Sequence, residues 1–321
     1  MKKYTHAFLA FMAMKRIEKA KLPETVQEDA KALTRWFKDY RDFVIDGSWY
    51  PDEVFKDNST SHIIKYRPCE KSQRVKVDFK KLPGCLEMPS MVKKSDLFGQ
   101  SFIIDGGNLA DRCEAISHDI VDDLKVLHTE RKGNPICPTN NRIAMRFFIL
   151  SHYIADGHMP LHCDARPFSD YANIHALIEK DWEDQVKKSY RIDSDNERFF
   201  YDPEGYPLKS DKGLSALLKK VESDVENRTY THGWGTNNGN TWDYMSAVSE
   251  YSYLMSYRMI PEQYEAADLT QEQFKTLEGW TNREEISRVI LMDAIDSIAR
   301  VWLHVWIKYR KWITEKRKSS K

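Results

Sequence analysis

The chain has 321 residues, and its 49 Lys and Arg residues balance 49 Asp and Glu residues, so the formal net charge is zero. A neutral chain lacks the charge excess of nucleic-acid coats and polybasic membrane binders. Hydrophobic residues make up 41% and aromatic residues 12%, which is enough for a substantial core and excludes a wholly disordered chain. No apolar run reaches the about 18 residues of a membrane-spanning helix.

The first segment, MKKYTHAFLAFMAMKR, is similar to a secretory signal in its basic start and apolar centre. However, His6 interrupts the apolar run, and Lys15 and Arg16 follow it where a cleavage site needs small residues. We therefore predict a short buried helix here. The 5 cysteines form no C-x-x-C pair, and without an export signal they predict reduced thiols and a cytoplasmic location.

Helical periodicity dominates the next part of the chain. From Val26 to Val44, apolar residues recur at alternating spacings of three and four, with Pro23 and Gly47 as boundaries. A second amphipathic helix is predicted from Asn108 to His128. The segment from Asn141 to Ala155 is nearly all apolar, which predicts a central helix. Further helices are predicted near residues 173–189, 212–227, 241–258 and 283–312.

Two long segments break the helical pattern. Residues 66–107 contain several prolines and an alternating stretch, Arg74–Phe79, that predicts a short strand. Residues 190–240 contain the polar run RIDSDNER and the sequence THGWGTNNGN. We therefore predict an all-α fold with these two irregular insertions. The predicted organisation is a single domain over 1–321, metal-site segments within 1–189 and C-terminal helices over 241–315.

The candidate chemistry centres on the segment FFILSHYIADGHMPLHCD, which covers residues 147–164. His152 and Asp156 are four residues apart, which places them on one face of a helix. His162 follows after Pro160. A lone histidine in an apolar helix is usually a hydrogen-bonded core residue. Three ionisable groups so close together favour a ligand cluster instead, because buried ionisable groups are costly unless they are paired or bind a metal.

Three further segments add imidazole and carboxylate groups. His175 and Glu179 repeat the spacing of four residues, GSWYPD ends in Asp52 and is followed by His62, and Thr5-His6 opens the first helix. Imidazole and carboxylate are the ligand types that suit Zn²⁺, with bonds of about 2.0–2.2 Å.

In these four segments, and in their order, the sequence resembles the zinc-dependent phospholipase C family. That family includes bacterial phosphatidylcholine-cleaving enzymes and the alpha-toxin type, and it shares its fold and trinuclear zinc site with the single-strand-specific zinc nucleases. The matching segments are THA near the N-terminus, GSWYPD with His62, HYIADGHMPLH, and His175 with Glu179. They span residues 6–179, and the rest of the chain predicts only further helices.

The resemblance implies up to three zinc ions. One would be held by Asp52, His62, His152 and Asp156. A second would be held by His162, His175 and Glu179. A third would be held by His6 and by Asp156, which would bridge two ions, while His158 would not be a ligand. The family completes this third site with an N-terminal Trp; here the free amine of Met1 is the predicted substitute.

The implied function is a zinc-dependent phosphoester hydrolase of the phospholipase C type, in which a metal-bound hydroxide attacks phosphorus. Three carboxylates offset about half of the charge of three zinc ions, and the surplus suits an anionic phosphodiester. Asp52 and Asp156 are the predicted catalytic residues, with Asp52 as a general base besides ligating. GSWYPD and Glu179, where the nucleases usually carry Asp, favour the phospholipase side.

Two alternatives stay open. A single-strand nuclease or 3′-nucleotidase would need an aromatic pocket beside the metals, for which Trp49, Tyr50 and Trp234 are candidates. A catalytically inactive zinc-binding interaction module would hold its ions with no open coordination position. Ala155, Gly157 and Arg166 depart from the residues that the phospholipases usually carry, and these departures concern the substrate more than the metals.

The expected partner is a phosphoester substrate, either a phospholipid or a nucleotide, and no stable nucleic-acid partner is expected. The C-terminal segment contains Trp302, Trp306 and Trp312 and 7 basic residues from Lys308 onward. Tryptophan beside lysine suits lipid headgroups and permits a peripheral membrane contact. A last core helix with a solvated end explains the same pattern, and we prefer it. The sequence does not predict the oligomeric state.

Overall fold

The computed structural model describes residues 1–20, 22, 24–68, 102–130, 133–166, 173–228, 240–264 and 269–319. Within these residues the fold is all-α, as predicted. Most of the described residues lie in helices, and the strands form two short antiparallel pairs. The predicted strand Arg74–Phe79 and the candidate Trp234 lie outside the described residues.

The α-helices of the described residues, in chain order, are α1 (Lys3–Lys19), α2 (Glu24–Asp39), α3 (Val44–Glu53), α4 (Leu109–Thr129), α5 (Asn140–Gly157), α6 (Pro160–Cys163), α7 (Ile174–Ser189), α8 (Ala216–Asn227), α9 (Thr241–Met259), α10 (Gln271–Thr276), α11 (Glu278–Thr281) and α12 (Arg283–Ser319). Short 3₁₀ turns cover Arg41–Phe43, Ser59–His62 and Glu262–Tyr264. Strand β1 (Ile64–Pro68) pairs with β2 (Phe102–Gly107), and β3 (Ile192–Asp193) pairs with β4 (Arg198–Phe199). No described helix combines the length and the apolar character needed to cross a bilayer.

Helix α1 is the buried helix that the N-terminal segment predicts. Phe8, Leu9 and Phe11 have no exposed surface, and α1 packs against α3, α7, α8 and α12. The helix is apolar on most of its faces, which is typical of a helix surrounded by others. His6 on α1 therefore lies inside the protein.

Helix α5 is the central helix that its composition predicts. The Thr139 side chain accepts a hydrogen bond from the Arg142 backbone amide and so caps its N-terminus. Phe147 and Leu150 are fully buried, and α5 packs against both α3 and α4. The C-terminal turns of α5 carry His152 and Asp156, so the surrounding helices enclose both side chains.

The prediction of one helix over Val26–Val44 with Gly47 just past its end was wrong. The chain leaves α2 at Asp39, makes a 3₁₀ turn and starts α3 at Val44, so Gly47 lies inside a helix. A Cβ added at Gly47 would lie 2.3 Å from the Cβ of Phe148. The glycine is needed for the close approach of α3 to α5, and this contact brings Asp52 at the end of α3 towards α5.

The segment 190–240 is more regular than its polar composition suggests. RIDSDNER forms the β3–β4 hairpin, and α8 buries Leu217, Leu218 and Val221 in the core. The remaining predicted helices are present within one to four residues of their predicted bounds, apart from α12, which extends to Ser319. Trp302 has no exposed surface and Trp306 only 9%, so α12 is a core helix along most of its length. The described helices share one hydrophobic core; the single domain over 1–321 stays a prediction.

Candidate metal centre

The predicted ligands come from six parts of the chain that meet at the C-terminal end of α5. Met1 and His6 lie at the start of α1, Asp52 at the end of α3 and His62 in the 3₁₀ turn before β1. His152 and Asp156 belong to α5, His162 to α6, and His175 and Glu179 to α7. Their roles as ligands stay predictions, but the fold brings all of them together.

Asp156 lies at the centre of the cluster because its two oxygens face different neighbours. Its Oδ1 is 3.1 Å from the Met1 amine, 3.5 Å from Nε2 of His6 and 3.7 Å from Nδ1 of His162. Its Oδ2 is 2.9 Å from Nδ1 of His62 and 3.1 Å from Nε2 of His152. A carboxylate with both oxygens surrounded by ligand-type nitrogens has the geometry of a bridging group.

Three groups of side chains each place their ligand atoms within 4.8 Å of one another. These groups are His6, His152 and Asp156; Asp52, His62 and His152; and His162, His175 and Glu179. The third group has the residues of the predicted second zinc site, and the second group has those of the predicted first site without Asp156. The first group differs from the predicted third site because it includes His152. This residue belongs to the first and the second group, and its ring stacks on that of His6 with ring centres 4.0 Å apart.

The orientation of His152 is set from outside the cluster. Its Nδ1 is 2.7 Å from the backbone carbonyl oxygen of Ser48, so Nδ1 carries the proton and donates it. Nε2 points at the cluster, 3.5 Å from Oδ1 of Asp52, and is the nitrogen that offers a lone pair when the ring is neutral. Metal-binding histidines are commonly oriented in this way by a partner for the second nitrogen.

Several buried nitrogen atoms are satisfied by nothing among the described residues. Both ring nitrogens of His6 and Nδ1 of His162 are buried there without a hydrogen-bond partner. In addition, Nε2 of His162 lies 2.9 Å from Nε2 of His175, a pair of atoms that would both offer lone pairs to a shared cation. Because native proteins rarely leave buried polar atoms unpaired, these residues fit a bound metal ion. The oxygen and nitrogen donor set is the one expected for Zn²⁺.

Negative charge dominates the side chains of the cluster, and the amine of Met1 partly offsets it. This amine is 2.7 Å from Oε1 of Glu179; the Met1 side chain is fully buried and that of Glu179 is 10% exposed. Burial by itself lowers the pKa of the amine, but Asp156 and Glu179 outweigh it and raise the pKa to about 11. In turn, the amine, His152 and His162 hold the pKa of Asp156 well below its ordinary value against the effect of burial. A cationic amine here occupies the place between carboxylates that suits a metal ion.

Burial keeps two of the imidazoles neutral. It lowers the pKa of His162 to about 3, and burial together with the nearby His152 lowers the pKa of His6 well below its usual range. His152 behaves differently: burial lowers its pKa, but Asp156 and Asp52 raise it to about 9. Metal binding requires neutral imidazoles, so a cation would compete with a proton at His152.

The cluster is closed at its centre and open at two ends. The side chains of His6, His152 and Asp156 are at most 2% exposed, whereas Asp52 is 40% and His175 41% exposed. Metal sites used only for folding are closed, while catalytic sites keep a position open to solvent or substrate. The exposed ends at Asp52 and His175 fit the second description.

Other residues singled out in the sequence lie outside the cluster. Nε2 of His158 is 2.8 Å from Oγ of Ser297, which agrees with its exclusion from the ligands. Arg166 forms an ion pair with the buried Asp164 at 2.7 Å and lies 3.7 Å from the centre of the Tyr257 ring. Both side chains therefore contact residues outside the cluster.

The aromatic candidates for base stacking have contacts of their own. Trp49 is covered by Nζ of Lys3, 3.6 Å from its ring centre. Tyr50 packs against Phe55, which is 47% exposed, with ring centres 5.8 Å apart.

Sequence reasoning missed two groups beside the cluster. The carbonyl of Ser48, which orients His152, has no sequence signal because any residue carries a carbonyl. Glu183 contacts the first turn of α1. Its position four residues after Glu179, in the series His175, Glu179, Glu183, was a signal that it shares a helix face with the ligands.

The sequence matches no protein-family model, and a search of curated proteins gives no match. Among solved structures, the chain is similar to alpha-toxin of Clostridium perfringens isolated from an avian strain. The TM-score is 0.40 and the identity 13%, over 94% of this chain and 63% of that one, so the chain spans less than two thirds of that protein. A similarity this distant establishes neither a family nor an activity for this chain.

Proposed function

We propose that the chain is a metal-dependent hydrolase of phosphate esters, with zinc as the metal and a chemistry like that of phospholipase C. The observation that carries the proposal is the convergence of three ligand groups on Asp156, with unpartnered buried imidazole nitrogens among the described residues and two open ends. The sequence resemblance in four segments supports the same reaction class. When bound, the zinc ions would activate water and stabilise negative charge on phosphoryl oxygens.

The residues of the cluster have different roles in this proposal, according to their position. Asp156 holds the cluster together, since its two oxygens face different sets of nitrogens at 2.9–3.7 Å. His6 presents a neutral ring from the closed side, and His152 would do so once a cation displaces its second proton. Asp52, the exposed carboxylate 3.8 Å from Nδ1 of His62, is placed to accept a proton at Oδ1 from an incoming water molecule.

A site of this kind favours an anionic substrate. Asp52, Asp156 and Glu179 carry three negative charges, and two or three divalent cations exceed them, which leaves a positive centre for a phosphodiester. In a chain that begins at Met1, the amine would become a further nitrogen donor beside Asp156 and Glu179. This needs the amine to lose its proton, so zinc and the proton compete for it.

The test combines metal analysis with an activity assay on a lipid analogue. Purified protein should contain two or three zinc ions per chain, and it should release phosphorylcholine from a chromogenic phosphatidylcholine analogue. Asp156→Asn should lose both zinc and activity. Its matched control is Asp184→Asn, which removes a carboxylate from an exposed face of α7 where Asp184 pairs only with Lys180 within the described residues. A protein free of transition metals would overturn the proposal.

Parallel assays separate the alternatives. Phosphate release from 3′-AMP without cleavage of the lipid analogue would replace the phospholipase assignment with a nucleotidase. Tightly bound zinc with no turnover of any phosphoester would favour the inactive module. The exposure of Asp52 and His175 argues against that last outcome, because an inactive module has no need of open positions.

A further inference from the structure

The first turn of α1 has no cap of its own. Helix α1 starts at Lys3, the preceding Lys2 makes no side-chain cap hydrogen bond, and the first turn contains no acidic residue. The first amide groups of a helix have no partner within the helix and carry the positive end of its dipole. Here Tyr4 and Thr5 of that first turn are buried, and the turn lies next to the amine of Met1. An uncapped, buried and positively charged helix start would be unstable.

Glu183 on α7 supplies the missing cap from another helix. Its Oε2 accepts hydrogen bonds from the Thr5 amide at 2.9 Å and from the Thr5 hydroxyl at 3.0 Å. Its Oε1 accepts one from the Tyr4 amide at 3.3 Å. Glu183 is only 5% exposed, and Nζ of Lys187 lies 3.5 Å from its Oε1. Hydrogen bonds from amides to a buried carboxylate are stronger than those between neutral groups.

The same face of α7 contacts the cluster. His175, Glu179 and Glu183 follow at intervals of four residues, so they form one row along the helix. Glu179 contacts the Met1 amine, and Glu183 contacts the amides of Tyr4 and Thr5. The row therefore fixes the start of the chain at two points, one at its terminal amine and one in the first turn of α1.

We propose that Glu183 is a positioning residue of the metal centre: it seats the first turn of α1 so that His6 and the Met1 amine reach Asp156. The inference rests on the proposed function for the metal itself, but the seating of α1 is independent of it. His6 makes no hydrogen bond that would hold its ring in place within the described residues, so its position depends on the backbone of α1. That backbone is held by Glu183.

The test uses Glu183→Gln, with Asp184→Asn as the control that removes the same charge from the exposed side of α7. Zinc content is measured after gel filtration. Glu183→Gln should lose about one zinc equivalent, the one at His6, and keep those at His62 and His175. Melting curves establish that each variant is folded.

A second readout needs no metal. In the presence of a chelator, the N-terminal amine is acetylated with an N-hydroxysuccinimide ester and the modified residue is located by mass spectrometry. Loosening the first turn should accelerate this labelling by about tenfold or more, the factor that about 1.4 kcal/mol represents. Thr5→Val, which removes only the hydroxyl contact, should act in the same direction by a smaller factor and serves if Glu183→Gln does not fold.

The outcomes separate the two proposals. Wild-type zinc content together with wild-type labelling in Glu183→Gln would overturn the positioning role and leave the proposed function intact. Zinc absent from the unaltered protein would overturn the proposed function, while faster labelling in Glu183→Gln would still support the seating of α1. Equal acceleration in Asp184→Asn would show a general charge effect and would contradict the proposal.

Discussion

Helix α1 buries ionisable groups at both ends, and the two ends treat them differently. Near its C-terminal end, Arg16 donates from Nε to Oδ1 of Asp296 at 2.7 Å and from Nη1 to the carbonyl oxygens of Arg228 and Val225 at 2.6 and 3.2 Å. In its first turns, both ring nitrogens of His6 are without a hydrogen-bond partner among the described residues. The first region pairs a buried guanidinium with a buried carboxylate, whereas the second brings imidazole and carboxylate groups together around Asp156.

This difference distinguishes a buried ion pair from a ligand site. Arg16 and Asp296 are both 1% exposed and form an ion pair between groups of opposite charge. The cluster around Asp156 instead combines several atoms that offer lone pairs, and only a cation satisfies such a set. Burial alone therefore does not identify a functional site; a set of lone-pair atoms from several segments that face one another does.

The largest effect is expected from Asp156→Asn. The amide keeps the shape of the side chain but removes the charge that faces both sides of the cluster. We expect zinc binding to weaken at more than one position and turnover to fall by at least about a thousandfold, or about 4 kcal/mol. Metal analysis and steady-state assays measure both. Full activity in a folded Asp156→Asn protein would contradict the central role of this residue.

Breaking the ion pair tests the other end of α1. Arg16→Met leaves Asp296 buried without its main partner, and the free energy of unfolding should fall by about 3–5 kcal/mol. Chemical denaturation measures this loss, with the exposed Lys19→Met on the same helix as the control. Zinc content per folded chain should not change. A loss of zinc at unchanged stability would mean that the two ends are not separate in function.

Metal removal should destabilise the cluster but leave the ion pair intact. A cation present at about 100 times its dissociation constant stabilises the folded state by about 2.7 kcal/mol, which a chelator would remove. The melting temperature of the unaltered protein should drop on chelation and recover when zinc is added back. Asp156→Asn should respond much less. An identical response in both proteins would argue that chelation acts elsewhere.

Glu250 differs from both regions because burial favours the uncharged form of its carboxyl group. Burial raises the pKa of this carboxyl from 4.5 to about 7. Because the pKa of Glu250 is higher in the folded than in the unfolded protein, protonated Glu250 contributes to the free energy of unfolding. This contribution is fully present below pH 4.5 and is lost as the pH rises through about 7. Glu250→Gln should therefore gain about 3 kcal/mol over the unaltered protein at pH 8 and little at pH 4.5. Denaturation at both pH values checks this, and a gain independent of pH would contradict it.

Much of the helical framework follows from the sequence pattern. The periodicity of residues 108–128 and the apolar composition of residues 141–155 predict α4 and α5 to within two residues. The break between α2 and α3 could not be predicted, because the apolar spacing continues across it to Val44. Gly47 looked like a helix end, yet it serves a close contact with Phe148, a residue far away in the chain.

The ligand candidates were predictable as types and spacings, since His152 with Asp156 and His175 with Glu179 each share a helix face. The distances between the segments that carry these residues could not be predicted. Nothing local to Met1 indicates that its amine lies 2.7 Å from Glu179, and nothing local to Ser48 indicates that its carbonyl orients His152. These contacts depend on how whole helices pack, and packing depends on residues spread over the entire chain.

The amino-acid sequence by itself determined an all-α fold and the chemical identity of a set of imidazoles and carboxylates, because helical periodicity and side-chain chemistry are local properties. Only the tertiary structure decided that Asp156 stands between the groups, that Glu183 caps α1 from α7, and that Asp52 and His175 are left exposed. Those features arise from the burial of apolar helix faces against one another, which fixes the distances between side chains that are far apart in the chain.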